Sequence, residues 1–541
     1  MKYINKLAVA VLAGAALAAC NDLDVQPVGG TITEDQKAQV VADNPEMAYA
    51  SVTGIAGMMD AYNQLGAEDH YDFGYPALFI WMDMRGMDMY SAYSGYNWFL
   101  SPEQLSDGLS TSDGPIIPWK YCYNTIRSCN DLMTTLAESL ESGEASSESL
   151  YSAAQALGFR AYAYFLLAQS FQFTYYGNED KPCIPVITDL NAIEAATDGC
   201  GLSTVAEVYE QIMSDLNTCI EYLGETTTRP SELVDNKYNR LVSKAVAYGL
   251  RARVNLVMNN WAEAAADAQA AINNFSGSPK SMAEASKPSF TSMDESDWMW
   301  GIAVAETDRT VTTGICNFPS MMGSFCYGYA TAVGAFKWIN NLLYAQIPFS
   351  DVRKGWWLDE NGESANITAA QYDYVISSAE SSQSPAPYIQ VKFNSYQGVI
   401  AQSTNASDIP LMRVEEMYLI LAEAQGMQNV STGAQTLTNF VKQYRDPRYT
   451  CTATTPEDFQ DAVWLQRRIE LWGEGFSYYD MMRLKKPLDR VNAGWPAQCT
   501  YLVQPNDPVL IFPIPNSEIT ANKKLNAADN NNRGGSMPSP V

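Results

Sequence analysis

The sequence predicts a mainly α protein in which paired helices are interrupted by long loops and a few short strands. Three observations predict it. Ala-rich segments carry apolar residues at steps of three and four, the period of one helical face. Two stretches, about 62–118 and 305–333, lose that period while aromatics and glycines crowd together. Few runs are short and alternating enough to be strands.

Composition bounds the function. The chain has 541 residues, enough for a sizeable core and, by length alone, roughly two to four domains. Lys plus Arg number 34 and Asp plus Glu 61, a net charge of −27. Such a chain repels polyanions, which argues against nucleic acid and against adsorption to anionic lipid. With 18% charged and 11% aromatic residues it is too apolar for a disordered acidic protein. Its 32 Tyr and 12 Trp suit recognition surfaces as well as a core.

The first residues read as targeting. Lys2 and Lys6 precede an apolar run, Leu7 to Ala19, too short to be a stable bilayer anchor. Leu17-Ala18-Ala19-Cys20 resembles the bacterial lipobox, so residues 1–19 are expected to be a lipoprotein signal peptide and Cys20 a lipidated N-terminus. Several acyl chains on one cysteine suffice for stable anchoring. No later apolar stretch approaches the ~20 residues needed to span a bilayer. Asn21-Asp22-Leu23-Asp24 is similar to the acidic export tag of surface lipoproteins in Bacteroidetes. Residues 20–42 read as a polar, lipidated tether, and 43–541 as one domain.

In that domain a helix is expected from Asn44-Pro45-Glu46, with Asn44 as cap and Pro45 in the first turn. The irregular region 62–118 carries Tyr71, Phe73, Tyr75, Phe79, Trp81, Tyr90, Tyr93, Tyr96, Trp98 and Phe99, with Asp83, Asp88 and Asn97 among them. Long irregular segments in compact proteins are binding loops or disorder, and this aromatic density argues against disorder. Helices follow from Trp119, over Ser149–Phe171, and over Thr204–Leu223, the last with Ser203 or Thr204 as cap and Glu207 at the capping-box position. Asn239–Met258 and Ala262–Ile272 form a helix pair around Asn259-Asn260-Trp261. That pair resembles a tetratricopeptide unit, small residues lying where two helices cross. Met412–Met427 and Glu457–Trp472 suggest further pairs, at irregular spacing.

Between them, Asp297–Val304 alternates like a strand. The second irregular region, 305–333, holds Phe325, Tyr327 and Tyr329. Short strands are expected at Tyr372–Ile376 and Tyr388–Phe393. Asp359-Asn361-Glu363 lacks the spaced ligands of a calcium loop and reads as a turn.

Of ten cysteines, nine lie beyond Cys20 and none forms C-x-x-C. His70 is the only histidine, so a zinc site lacks its usual ligands. His70 stands in a polar loop with no nucleophile motif beside it. Cys316 and Cys326 are spaced for a loop disulfide.

The densest stretch is Trp464–Arg483. Leu465, Ile469, Trp472, Phe476, Tyr479 and Met482 recur at helical steps, with Arg467, Glu470 and Glu474 on another face. Arg413-Val414-Glu415-Glu416-Met417-Tyr418-Leu419-Ile420-Leu421-Ala422-Glu423-Ala424, Arg467-Arg468-Ile469-Glu470-Leu471-Trp472-Gly473-Glu474-Gly475, Asp480-Met481-Met482-Arg483 and Phe512-Pro513-Ile514-Pro515 resemble the signatures of SusD/RagB-like proteins. The lipobox, the helix with Arg160 and the tetratricopeptide-like pair fall in that family's order. Phe476 departs from it, standing where the family commonly has Arg. The resemblance implies a SusD-like fold and a lipid-anchored protein of the outer membrane, exposed at the cell surface. It implies capture of nutrients, usually glycans, for a TonB-dependent (SusC-like) β-barrel transporter, with no enzymatic activity and no cofactor. Sugar rings dock their C–H faces on flat aromatics while polar side chains meet the hydroxyls. Expected ligand residues are Trp98, Tyr96, Tyr93 and Trp81 with Asn97 and Asp88, and from the second region Tyr327, Tyr329 and Phe325. Peptide capture is the alternative within the family. A surface glycosidase using Asp83 and Asp88 is the rival class, since it needs two carboxylates in one cleft. Glu470 and Glu474 are expected to pair with Arg467, Arg468 or Arg483 and hold the fold.

Overall fold

The computed structural model describes residues 33–92, 96–225, 238–530 and 536–541. The expected signal peptide, Cys20 and the start of the expected tether lie outside them, as does Tyr93. The last part of the expected tether is helical instead: Glu34–Asp43 (α1) starts from a capping box in which Thr33 and Gln36 each accept the other's backbone N–H.

The longer helices that follow are Tyr49–Gly57 (α2), Tyr75–Arg85 (α3), Asp113–Glu141 (α4), Ser147–Phe171 (α5), Ala192–Asp198 (α6), Val205–Glu225 (α7), Lys244–Val257 (α8), Trp261–Asn274 (α9), Ala369–Ser381 (α10), Val414–Gln428 (α11), Val430–Tyr444 (α12), Pro456–Glu470 (α13) and Ser477–Arg483 (α14). Their starts follow side-chain chemistry. Ser146 caps α5, and Thr204 caps α7 in exchange with Glu207. In space α4 packs on α5, α5 on α7, α7 on α8, α8 on α9, α9 on α11, and α11 on α12 and α13. The array is therefore continuous although the chain leaves it after α9 and re-enters at α11. This excursion is the irregular spacing the sequence shows. Close helix crossings rest on two glycines. A Cβ on Gly433 would lie 2.3 Å from the Gly426 Cα, and one on Gly426 would lie 1.8 Å from the Phe459 ring of α13.

Among the described residues the strands pair only in twos, all antiparallel. Met89–Tyr90 (β1), in the first aromatic region, pairs with Trp338–Ile339 (β3), just after the second. Trp298–Ile302 (β2), the strand expected at Asp297–Val304, pairs with Ile409–Arg413 (β4) and closes the base of the excursion. Leu488–Asp489 (β5) pairs with Leu502–Val503 (β6). Trp298, Trp300, Trp338, Trp357 and Trp472 are all fully buried around these ladders.

Several expectations are corrected. Tyr372–Ile376 lies inside α10, because Thr368 and Gln371 form a capping box that overrides the strand-like run of Tyr, Val and Ile. Tyr388–Phe393 makes only isolated bridges, Ile389 to Trp338, Gln390 to Trp357 and Phe393 to Ser289. The region 62–118 is less irregular than its sequence: it contains α3 and the first turns of α4. Cys316 and Cys326 form no disulfide with each other, and the Cys326 thiol donates to the Pro319 carbonyl at 3.0 Å. Asp359–Glu363 is a turn in which the Asp359 carboxylate accepts the N–H groups of Asn361 and Glu363.

Trp464–Arg483 is not one helix. α13 ends at Glu470, and Gly473 and Gly475, at φ 77° and 83°, turn the chain before α14. The break swings Glu474 away from the arginines of its own segment. Glu470 meets Arg353, Arg413 and Arg445, and Glu474 meets Arg413 and Lys392. Arg467 pairs with Asp480, Arg468 with Asp88, and Arg483 with Asp480 and Glu423. The acidic partners expected for these arginines are thus replaced, by Asp480 of α14 for Arg467, by Asp88 for Arg468, and by Asp480 of its own helix with Glu423 of α11 for Arg483. Phe476, in place of an arginine, lies 4.9 Å from the Arg253 guanidinium and accepts its charge on the ring face.

Candidate functional site

The two aromatic regions meet at one shelf. Trp98 follows α3 and β1 in the first region, and Tyr329 opens a short helical turn in the second. Between them sits His70. Its ring centre is 4.7 Å from that of Trp98 and 5.7 Å from that of Tyr329, and its Nδ1 is hydrogen-bonded to the Tyr329 hydroxyl. Trp98 and Tyr329 meet edge to face at 6.2 Å. Tyr71 backs the cluster, 6.1 Å from Trp98 and 5.3 Å from Trp81, with its hydroxyl donating to Asp113 at 2.6 Å. Burial pushes the Tyr329 phenol above its ordinary value, and the Tyr96 phenol is near enough to add to the rise.

Two large aromatics stand out of this cluster into solvent. Tyr96 is 59% exposed and Tyr327 52%. Tyr327 is fixed by its backbone, whose N–H donates to the Gln402 carbonyl at 2.9 Å while its carbonyl accepts from Asn405 at 3.0 Å. Arg309, in the second region, lies 5.6 Å from the ring of Tyr62 in the first. A rigid inner cluster with protruding aromatic faces offers stacking surfaces of fixed orientation at little entropic cost.

The expected ligand residues divide. Trp98 and Tyr329 touch here, Tyr96 lies near Tyr329, and Tyr327 is exposed two residues before it. Trp81, Asp88, Asn97 and Phe325 do not face solvent. Trp81 is 1% exposed and its Nε1–H donates to Asp107 at 2.7 Å. Phe325 is fully buried. Asp88 is spent on Arg468, Ser477 and, through its backbone carbonyl, Trp472. Asn97 donates to Glu103 at 2.9 Å and accepts the Phe99 N–H at 3.1 Å. The sequence reading overlooked His70 and Tyr71. His70 reaches Tyr329 across 259 residues, so no local spacing announces it.

The carboxylate pair of the glycosidase reading is buried too. Asp83 accepts the Gly475 N–H at 3.0 Å, and burial raises its carboxyl to about 7. Neither it nor Asp88 opens to a cleft that a sugar chain could enter.

Comparison with known proteins gives one consistent result. A family model described as SusD family matches residues 323–532, and another, described as starch-binding associating with outer membrane, matches residues 52–256. SusD-like protein P2 of Formosa agariphila is 24% identical over 362 residues, which is 62% of this chain and 65% of that protein. SusD-like protein P38 of the same organism is 26% identical over 141 residues, 24% of this chain and 28% of that protein. The matches thus span less than two thirds of either relative. Among solved structures, a SusD-like carbohydrate binding protein from Bacteroides vulgatus superposes with a TM-score of 0.71 at 23% identity, covering 91% of this chain and 98% of that one. A laminarin binding SusD-like protein superposes with a TM-score of 0.58 at 17% identity, covering 88% and 97%. At these identities the superpositions speak for the fold.

Proposed function

Because this chain belongs to the SusD/RagB-like family, we propose that it is a surface lipoprotein, anchored through Cys20, that captures glycans on its aromatic shelf and passes them to a TonB-dependent β-barrel transporter. The observation that carries this reading is the shelf itself: Trp98, His70 and Tyr329 locked together, with Tyr96 and Tyr327 projecting from them. Flat rings suit the C–H faces of sugars. Trp98, Tyr96, Tyr327, Tyr329 and His70 are the proposed ligand residues. Trp81, Phe325, Asp88 and Asn97 support them from within.

The test is a panel of soluble polysaccharides, laminarin and starch among them, together with peptides, titrated against the purified protein. Glycan binding is expected, with Trp98→Ala weakening it about tenfold or more while the melting transition is kept. Binding of peptides alone, or a Trp98→Ala protein with undiminished glycan affinity, would overturn the reading. Recovery of the protein from detergent-solubilised membranes without a β-barrel partner would count against the transport step.

A further inference from the structure

Ser91 follows β1, and Asn97 leads into Trp98 at the edge of the shelf. Both residues are held by one carboxylate. Glu103 is fully buried. Its Oε1 accepts the Ser91 backbone N–H at 3.0 Å, and its Oε2 accepts the Asn97 side-chain N–H at 2.9 Å. Asn97 in turn accepts the Phe99 backbone N–H at 3.1 Å. The two residues flanking Trp98 are therefore both tied, directly or at one remove, to the same buried group. Within the proposed glycan-binding reading, on which it rests, we infer that Glu103 is the positioning residue of the shelf, holding Trp98 against His70 without touching ligand.

Burying a lone carboxylate is costly, and the surroundings show how it is tolerated here. Burial raises the Glu103 carboxyl to about 7, while the Ser91 N–H, Arg490 and Lys337 oppose the rise. Lys337 is itself buried, directly before β3, and its Nζ donates to the Ala335 carbonyl at 2.8 Å. The Arg490 guanidinium binds the Glu103 backbone carbonyl and those of Met84, Arg85, Gly86 and Cys499. The carboxyl that holds Ser91 and Asn97 thus feels the charge of two buried cations that are themselves held by backbone carbonyls. A glutamine could not replace it: its amide would present N–H to one of the two donors and leave that donor unpaired.

The test combines backbone hydrogen exchange over residues 89–92 and 97–100 with the affinity for laminarin, or for whichever polysaccharide of the panel binds. Glu103→Gln is expected to speed exchange at both Ser91 and Phe99 and to weaken binding roughly tenfold, the loss of one charge-assisted hydrogen bond. Asn97→Ala, which leaves the carboxylate in place, should speed exchange at Phe99 only and weaken binding similarly, and it decides the matter if Glu103→Gln fails to fold. Trp98→Ala should abolish affinity with exchange at Ser91 unchanged. Gly426→Ala, destabilised far from the shelf, should alter neither readout. Wild-type exchange at both amides in Glu103→Gln, or wild-type affinity despite faster exchange, overturns the inference. If the wild-type protein binds no polysaccharide while Glu103→Gln still loosens both amides, the clamp stands and the glycan reading falls.

Discussion

Arg413 and Glu474 face each other through two parallel hydrogen bonds, Nε to Oε2 and Nη2 to Oε1, both 2.9 Å. Both residues are buried, and Glu474 also accepts from Lys392 at 2.7 Å. Burial alone would raise the Glu474 carboxyl, but Arg413 and Lys392 outweigh it and hold it below its usual range. Removing the carboxylate takes the bidentate pair from Arg413 and the ion pair from Lys392, both buried. Glu474→Ala is therefore expected to cost about 3–5 kcal/mol, measured by urea denaturation. Its folded fraction should keep wild-type glycan preference, because the pair touches no part of the shelf.

Glu415 and Asp297 should make stability depend on pH. Arg413 Nη1 lies 3.2 Å from a Glu415 oxygen, 3.2 Å from Glu470 and 3.3 Å from Asp297. One nitrogen with two N–H groups cannot serve three carboxylates, and Glu415 Oε2 and Asp297 Oδ1 are left without a hydrogen bond. Burial first, then the Asp297 charge, raise Glu415 to about 7. The folded protein therefore binds a proton that the unfolded chain releases near the ordinary carboxylate value. That stabilisation is complete below the unfolded value and is lost as pH rises through about 7. The urea midpoint of Glu415→Gln should fall less than that of the wild type between pH 5 and 8, by roughly 3 kcal/mol in free energy. Parallel curves would show that no proton is held there.

Trp81 and Trp98 differ only in placement, so their alanine variants should separate. Trp81→Ala empties a fully packed site and takes one hydrogen bond from the Asp107 carboxylate, which keeps Arg85, a loss of about 3–5 kcal/mol visible in thermal denaturation. Trp98→Ala should melt near the wild type and lose ligand.

Gly426→Ala forces a methyl group into the Phe459 ring at the α11–α13 crossing. The expected cost is about 1–3 kcal/mol, read as a lowered denaturation midpoint. The variant Phe459→Leu in the same background should recover part of it by making room.

The helices were legible because their signals are local. Ser146 precedes an Ala-rich run, and Thr204 with Glu207 marks α7. Tyr372–Ile376 misled for the same reason: its β-branched and aromatic residues suggest a strand, while the decisive signal, Thr368 with Gln371, lies just ahead of it. In the first aromatic region local chemistry could not tell a shelf from a core. Trp81 and Trp98 sit in similar company, and only the return of Asp107 to one and His70 to the other separates them. The ion pairs were hidden by distance as well. Glu470 and Glu474 looked set to pair within their segment until the glycine turn carried them to Arg353, Arg413, Arg445 and Lys392.

The pairing of β2 with β4 has a consequence for engineering. It brings together the two ends of the long excursion between α9 and α11, which carries Tyr327 and Tyr329, while α9 packs directly on α11 behind it. The helical array does not thread through that insert, yet the insert carries Arg353 and Lys392, which meet Glu470 and Glu474, so an exchanged segment must supply both cations. The seam lies just inside Trp298 and Arg413. Placed there, a transplant retains Arg413 and its carboxylates, and it must also carry a partner for His70 on the far side.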